Sequence, residues 1–159
     1  MSDDKAKDGG IKIICDNKKA FHDYFIEEKW EAGIVLTGTE VKSLREGKAN
    51  LRDAHAVFTR NELYLLNAHI NTYRQGNREN HETLRTRKLL LHRAELSKLW
   101  TRSEIKGYTI IPTKMYFRNG LAKIEIGLGR GKKSYDKRQV EKEKEAKRDL
   151  ARLTRKATR

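Results

Sequence analysis

A glycine-rich stretch, GLGRGKKS (127–134), is the first part of this 159-residue chain whose spacing suggests chemistry. It does not match the phosphate-binding pattern GxxxxGK[ST], because Gly127 and Gly131 stand one residue too close and Lys133 occupies the Ser or Thr position. The stretch is therefore predicted to be a flexible hinge. Alternatively, the glycines let the backbone approach RNA phosphates that the neighbouring basic residues neutralise.

Other residue types that carry catalysis do not form a recognisable constellation. Ser134 and Lys137 have S-x-x-K spacing, but the companion motifs of acyl-transfer enzymes are missing. Asp53 and His55 could share a strand face, yet no plausible nucleophile accompanies them. Cys15 is the single cysteine and the five histidines show no paired ligand spacing, so we expect no intramolecular disulfide, metal or cofactor. The protein is not expected to be an enzyme.

Positive charge is the strongest chemical signal of the sequence. The chain has 36 Lys or Arg and 22 Asp or Glu, which gives a net charge of +14 and favours a polyanionic partner. Basic residues cluster at 85–88, 129–133 and 136–138, and Tyr73 and Tyr135 lie beside these clusters. An exposed aromatic ring flanked by positive charge can stack on an unpaired base while the charges follow the backbone, so we expect RNA binding.

Three acidic residues stand out against this basic background. Glu27, Glu28 and Glu31 could accept hydrogen bonds from a base edge or from a 2′-hydroxyl group. Acidic side chains are more often simply exposed, or paired with a neighbour such as Lys29. The residue types alone favour that second interpretation.

The elements that must position these residues are predicted to be mostly strands. Asn119-Gly120 has the residue types of a type I′ turn, and after it Ala122 to Leu128 alternate apolar and polar side chains. Arg60-Asn61 separates a second predicted hairpin, and Pro112 is expected at a strand edge or bulge. The predicted strands are 11–15, 24–36, 51–59, 62–70, 109–117 and 121–128.

Helix signals are fewer. Asn17 is a good N-cap residue, Thr37 and Glu40 have the spacing of a capping box, and Leu99 shares a helical face with neighbouring apolar residues. The predicted helical segments are 17–25, 38–46 and 92–106.

The C-terminal segment differs in composition from the rest. Residues 132–159 hold 12 Lys or Arg and 5 Asp or Glu, which is half of the net charge. Leu150 and Leu153 are their only leucines, too few to dock firmly on a core, so we expect a tail that is disordered when free and helical against a partner. The predicted domains are residues 1–131 and this tail. The body is predicted to be a small antiparallel β-barrel, with an α+β sandwich as the alternative.

Three stretches of the chain resemble the bacterial SsrA-binding protein family, also called small protein B. They are 17–51, which contains EAGI followed by GTEVKSLR, then 85–96 with RTRKLLL, and 131–138 with GKKSYDKR. The order of these motifs is highly specific, and the likeness extends over nearly the whole chain.

The resemblance implies a function and a fold. Members of the family bind the tRNA-like domain of transfer-messenger RNA and deliver it to ribosomes stalled without a stop codon. Trans-translation then tags the unfinished chain for degradation and rescues the ribosome. The implied fold is mainly β, an OB-like antiparallel barrel over residues 1–131 with short peripheral helices. The basic tail, 132–159, is implied to become helical in the empty mRNA channel, and no enzymatic activity is implied.

The resemblance also assigns residues. The RNA-contacting positions of the family match Asn17, Glu31, Leu90 and Lys123, so for Glu31 it reverses the preference for a plain surface acid. Gly129 stands where the family commonly has alanine, which is expected to loosen the hinge. Seven further residues match the family's hinge and the segment at the decoding centre of the small ribosomal subunit. These are Gly131, Lys132 and Lys133 for the hinge, and Tyr135, Asp136, Lys137 and Arg138 for the segment.

Composition alone leaves other functions open. A structural ribosomal protein with a basic extension is the main alternative, whereas an RNA-modifying enzyme has no supporting site. The chain has no apolar run as long as a membrane span, and its N-terminal segment, MSDDKAKDGG, is too polar for a signal peptide. We therefore expect a cytoplasmic monomer with no membrane partner.

Overall fold

A computed structural model describes residues 10–75 and 80–157. Residues 1–9, 76–79 and 158–159 lie outside the described residues. The first of these ranges contains nearly all of the N-terminal segment that was judged too polar for a signal peptide. The strands are β1 (Ile11–Asp16), β2 (Tyr24–Ile34), β3 (Ala49–Asn50), β4 (His55–Thr59), β5 (Glu62–Leu66), β6 (His69–Ile70), β7 (Arg87–Leu90), β8 (Tyr108–Arg118) and β9 (Leu121–Gly131). The helices are α1 (Lys18–Asp23), α2 (Gly38–Arg45), α3 (Arg93–Ser103) and α4 (Ser134–Ala157).

The body is mainly an antiparallel sheet. Seven strands follow the order β1-β8-β4-β5-β7-β2-β9, and β9 pairs with β8 as well as with β2. β3 and β6 form a separate two-stranded sheet. Strand accounts for 40% of the structure and helix for 35%, and α4 alone supplies 24 helical residues, so the body outside α4 is mostly β.

The predicted hairpins are confirmed. Arg60 and Asn61 have φ angles of +51° and +65°, and Asn119 and Gly120 have +51° and +80°. Positive φ at both central positions is the backbone of a type I′ turn, whose twist matches that of the flanking strands. These two turns set the register of the β4–β5 and β8–β9 pairs.

The alternation predicted for β9 is also confirmed. Ile124, Ile126 and Leu128 are fully buried, and they pack against β2 and β8 side chains such as Ala32 and Met115. Pro112 lies beside a register shift in the β8–β9 pairing, in agreement with its expected place at a bulge.

The expected hinge at Gly127 and Gly129 is wrong. Both residues lie inside β9, where they pair with β2 and β8. A Cβ atom at Gly127 would lie 2.7 Å from Ile26 Cγ2, and one at Gly129 would lie 3.1 Å from Tyr24 Cβ. These glycines therefore let β2 approach closely, and they do not loosen the chain.

Two helices of the body follow their sequence signals. Glu40 accepts a hydrogen bond of 2.9 Å from the Thr37 backbone N–H, which completes the predicted capping box of α2. Gly47, with a φ of +72°, ends this helix. In α3 the apolar face buries Leu99, and the helix ends at Ser103, three residues earlier than predicted.

A helix, α4, occupies most of the predicted tail. Along the part whose side chains the structure describes, its residues beyond 141 are exposed, with Leu150 at 68% and Leu153 at 64%. The two leucines are therefore as poorly buried as the sequence indicates. Disorder of the tail in the free protein stays a prediction.

Candidate nucleic-acid interface

Three of the four predicted RNA-contacting residues lie on one outward face of the sheet. Gly33 of β2 pairs with Leu90 of β7 on one side and with Lys123 of β9 on the other. Lys123 in turn pairs with Tyr116 of β8. Glu31 lies two residues before Gly33 and so points to the same face. We call this the outer face.

Gly33 leaves room at the centre of the outer face. A Cβ atom there would lie 3.4 Å from Leu90 Cβ, in van der Waals contact with it, so a side chain at this position would cover part of Leu90. Leu90 itself is 50% exposed, an unusual state for a leucine within a strand. The result is an apolar spot beside Lys123, with the Glu31 carboxylate close by.

Glu31 is held by two β8 side chains. Arg118 donates to Glu31 Oε2 from Nε at 2.9 Å and from Nη2 at 2.8 Å, and the Tyr116 hydroxyl donates to the same oxygen. Desolvation opposes ionisation of Glu31, but these hydrogen bonds and the charge of Arg118 outweigh it and lower the pKa of the carboxyl group. Desolvation and the bond to Glu31 raise the pKa of Tyr116 to about 12.

This arrangement orients the carboxylate of Glu31. All three bonds end on Oε2, and among the described residues Oε1 has no such donor, so Oε1 can accept from a ligand. The salt-bridge partner is Arg118, whereas the sequence suggested Lys29. Glu27 and Glu28 follow the plainer interpretation: both pair with Arg102, and Glu27 also accepts a bond from the Tyr108 hydroxyl.

Asn17, the fourth predicted contact residue, is 3% exposed. Its side-chain amide donates to the carbonyl oxygens of Leu51 at 3.1 Å and Pro112 at 2.8 Å, and its backbone N–H donates to Thr113 O at 2.8 Å. It occupies the N-cap position of α1, but the expected side-chain cap is wrong, since the amide is used to hold β8. An RNA contact by Asn17 stays a prediction.

The basic cluster RTRK (85–88) forms ion pairs within the body, and RNA binding by its partly exposed members, Arg85 and Lys88, stays a prediction. Arg87 is completely buried and pairs with Glu40, which is also buried and accepts a second bond from Arg85 at 2.6 Å. Lys88 pairs with Glu62 at 3.0 Å. Sequence reasoning missed these ion pairs, because charge runs are normally exposed.

The segment between β9 and α4 carries the other predicted residues. Gly131 ends β9, and Lys132 donates from its backbone N–H to Asp23 O at 2.8 Å. Asp136 accepts a bond of 3.2 Å from the Lys133 backbone N–H, and so it caps the start of α4. Tyr135 is 76% exposed, in line with the expectation that it has no core role.

The first two turns of α4 contact α1 through charged groups. Lys137 lies 3.5 Å from an oxygen of Asp23, and Arg138 is exposed. His22 bridges Asp23, at 2.9 Å from Nδ1, and Glu141, at 3.0 Å from Nε2. Hydrogen bonds first to Asp23 and then to Glu141 raise the pKa of His22 above its ordinary value.

Sequence reasoning missed Tyr116 and Arg118, which orient Glu31. The available signal was the alternation of β8, in which Lys114, Tyr116 and Arg118 share one face opposite the apolar residues. Within 10–75 and 80–157, no group of three His, Cys, Asp or Glu could hold a metal ion. Across those same residues, no helix is long and apolar enough to cross a membrane.

Comparisons with known proteins agree on one family. A sequence model described as "SmpB protein" matches residues 14–156. An "SsrA-binding protein" of Geobacter sulfurreducens is 57% identical over 146 residues, which cover 92% of this chain and 95% of that protein. One of Bacillus cereus is 58% identical over 147 residues, with the same coverage of both chains. A solved structure described as "tmRNA-SmpB: a journey to the center of the bacterial ribosome" has 50% identity and a TM-score of 0.65, and the match covers 76% of this chain and 85% of that one.

Proposed function

The chain belongs to the SmpB protein family, and from this membership we propose that it binds transfer-messenger RNA and delivers it to stalled ribosomes for trans-translation. The observation that carries the proposal is the identity of 57–58% to SsrA-binding proteins over 92% of the chain. The likeness to a chain from a tmRNA-SmpB study of the bacterial ribosome adds the ribosome as a partner. The family match favours this function over that of a structural ribosomal protein.

The outer face is the proposed contact surface for the tRNA-like domain. Lys123 supplies a phosphate contact, Leu90 an apolar surface for a sugar or base, and Glu31 a carboxylate oxygen for a base edge or 2′-hydroxyl. Asn17 supports the same body from within, by tying α1 to β8. We assign this role to residues 1–131 as an OB-like barrel, a fold supported by the pairing of β9 with both β2 and β8.

The tail is proposed to act on the ribosome. Gly131, Lys132 and Lys133 form the connection at which it turns, and the exposed ring of Tyr135 can stack on a base of the decoding centre. Asp136, Lys137 and Arg138 form the segment that meets that centre. We propose that residues 139–157 lie in the mRNA channel as a helix, where their Lys and Arg side chains face RNA phosphates.

The mode of action that we propose is binding without catalysis. A factor with these partners works where ribosomes work, so we assign it to the cytoplasm, as a monomer that forms a complex with one RNA.

Salt dependence of binding separates the roles of two outer-face residues. Lys123→Ala is expected to weaken binding to the tRNA-like domain and to reduce the slope of log affinity against log salt by about one, since it removes a phosphate contact. Glu31→Gln removes the charge that orients the acceptor, so it is expected to weaken binding with almost no change of slope.

The control for both variants is Lys106→Ala, which removes an exposed lysine from the turn between α3 and β8. We expect it to bind the tRNA-like domain with nearly wild-type affinity. Equal changes of slope for Lys123→Ala and Lys106→Ala would contradict the assigned contact surface.

A further inference from the structure

Two exposed phenylalanine rings lie among cations at the start of β2. Phe21 of α1 is 45% exposed and Phe25 of β2 is 41% exposed. The Lys29 ammonium lies 5.1 Å from the centre of the Phe21 ring, and for Phe25 the distances are 5.0 Å to Lys132 and 5.9 Å to the Arg130 guanidinium. We call these five residues the aromatic–cation stripe.

The stripe is one continuous surface. Phe25 and Arg130 are direct cross-strand partners in the β2–β9 ladder. Lys132 contacts both phenylalanines: its ammonium lies over the Phe25 ring and donates a hydrogen bond of 2.9 Å to the backbone oxygen of Phe21. The fold thus fixes two aromatic rings and three positive charges side by side.

The acidic residues nearby are already paired. Asp23 is bound by His22 and Lys137, and Glu28 is bound by Arg102. The positive charge of the stripe is therefore open to an outside anion. Among the described residues, Lys29 is the one cation over the Phe21 ring, which leaves the second face of that ring for stacking, and the Phe25 ring is 41% exposed beside its two cations.

The stripe is distinct from the outer face. Phe25 and Glu31 lie near opposite ends of β2, six residues or about 20 Å apart along the strand. None of the residues assigned to the tRNA-like-domain contact belongs to the stripe, and only Lys132 is shared with the proposed hinge.

We propose that the aromatic–cation stripe binds unpaired nucleotides of RNA, with a base stacked on Phe25 or Phe21 and the adjoining phosphates held by Lys29, Arg130 and Lys132. Stacking on aromatic rings beside cations is the usual way in which proteins hold single-stranded RNA. An acidic protein segment could pair with the three cations but would make no stacking contact with the two rings, so RNA fits the stripe better. This inference rests on the proposed function for its choice of RNA as partner.

The experiment compares a short fluorescent oligouridylate with an abasic ribose-phosphate oligomer of the same length, at moderate salt. The double variant Phe21→Leu with Phe25→Leu is expected to weaken oligouridylate binding at least about fivefold, since stacking on a base is lost. Its affinity for the abasic oligomer should stay within about twofold, because the charges remain. Lys29→Gln with Arg130→Gln is expected to weaken both.

Two control variants make the outcomes decisive. Phe25→Tyr keeps a ring and should keep oligouridylate binding, and Trp100→Leu removes an exposed ring of α3 outside the stripe and should have no effect. The proposal is overturned if the double leucine variant binds oligouridylate like the wild type, or if it loses both oligomers equally. Binding of the tRNA-like domain is measured for the same variants and for Lys123→Ala. This measurement tests the proposed function separately.

Discussion

At the scale of single residues, polar side chains here serve either the interior or the surface, and residue type alone does not decide which. The sequence motif supported both Asn17 and Glu31 as RNA contacts, yet Asn17 is buried while Glu31 is exposed enough to meet a ligand. The Arg87–Glu40 pair is likewise internal. Whether Asn17 or Glu31 lies inside or at the surface depends on a partner distant in sequence, Pro112 for the first and Arg118 for the second. A local sequence pattern cannot reveal such partners.

A prediction on stability follows for Asn17. Asn17→Ala leaves the carbonyl oxygens of Leu51 and Pro112 without their buried donor, so the free energy of unfolding should fall by about 1–3 kcal/mol. Urea unfolding measures this, with the exposed Asn71→Ala as a control that should change by less than about 0.5 kcal/mol. Unchanged stability together with weaker RNA binding would mean that the Asn17 amide contacts RNA directly.

At the scale of elements, the chain was most predictable where a turn fixes its neighbours. Asn119-Gly120 and the alternation after it located β8 and β9, because a type I′ turn and a half-buried strand each have a narrow set of allowed residues. The glycines of β9 were misread, because a glycine needed for close packing of strands looks the same in sequence as one needed for flexibility.

The contact between α1 and α4 should depend on pH. The pKa of His22 is raised by Asp23 and Glu141, so its protonated form stabilises docking of α4. With α4 undocked, the hydrogen bond to Asp23 remains and only the one to Glu141 is lost, so the pKa of His22 is higher in the docked state than in the undocked state. The contribution is therefore complete below the undocked pKa and is lost as the pH rises through the higher docked pKa.

Hydrogen exchange measures this contact directly. After correction for intrinsic rates, we expect protection of the amides around Glu141 to fall from pH 6 to pH 8 in the wild type. His22→Gln should remove this dependence of protection on pH, because the titrating imidazole is then replaced by an uncharged amide. Identical pH profiles for the two proteins would show that the bridge does not hold α4.

At the scale of the whole molecule, a β-rich body carries α4, whose contacts with α1 lie in the first two turns of the helix. Beyond Glu141 the side chains of α4 up to residue 155 are exposed, so in the free protein this part should fray, since helix formation without packing is marginal. The exposure of α4 beyond Glu141 agrees with its charge pattern, because a basic, leucine-poor segment cannot build a core, whereas the domain boundary at residue 131 stays a prediction. The contact between His22 and Glu141 could not be predicted from the sequence, because the two residues are 119 positions apart.

The tail prediction is tested by Leu150→Pro. Proline inside a helix costs about 3 kcal/mol or more, so tagging on stalled ribosomes in a reconstituted reaction should be abolished. Binding of the isolated tRNA-like domain should remain, because the body makes that contact. Leu150→Ala keeps a good helix former at an exposed position and should tag normally. Normal tagging by the proline variant would show that the helix is not required.

The most direct test of the central claim is a competition experiment with the full chain. A labelled tRNA-like domain of transfer-messenger RNA is bound at moderate salt and displaced by the same unlabelled RNA or by bulk tRNA. Phosphate contacts alone treat both competitors alike, whereas the proposed contacts of the outer face would add recognition of bases and sugars. We predict that the tRNA-like domain competes at a much lower concentration than bulk tRNA, and equal competition by the two RNAs would contradict the account.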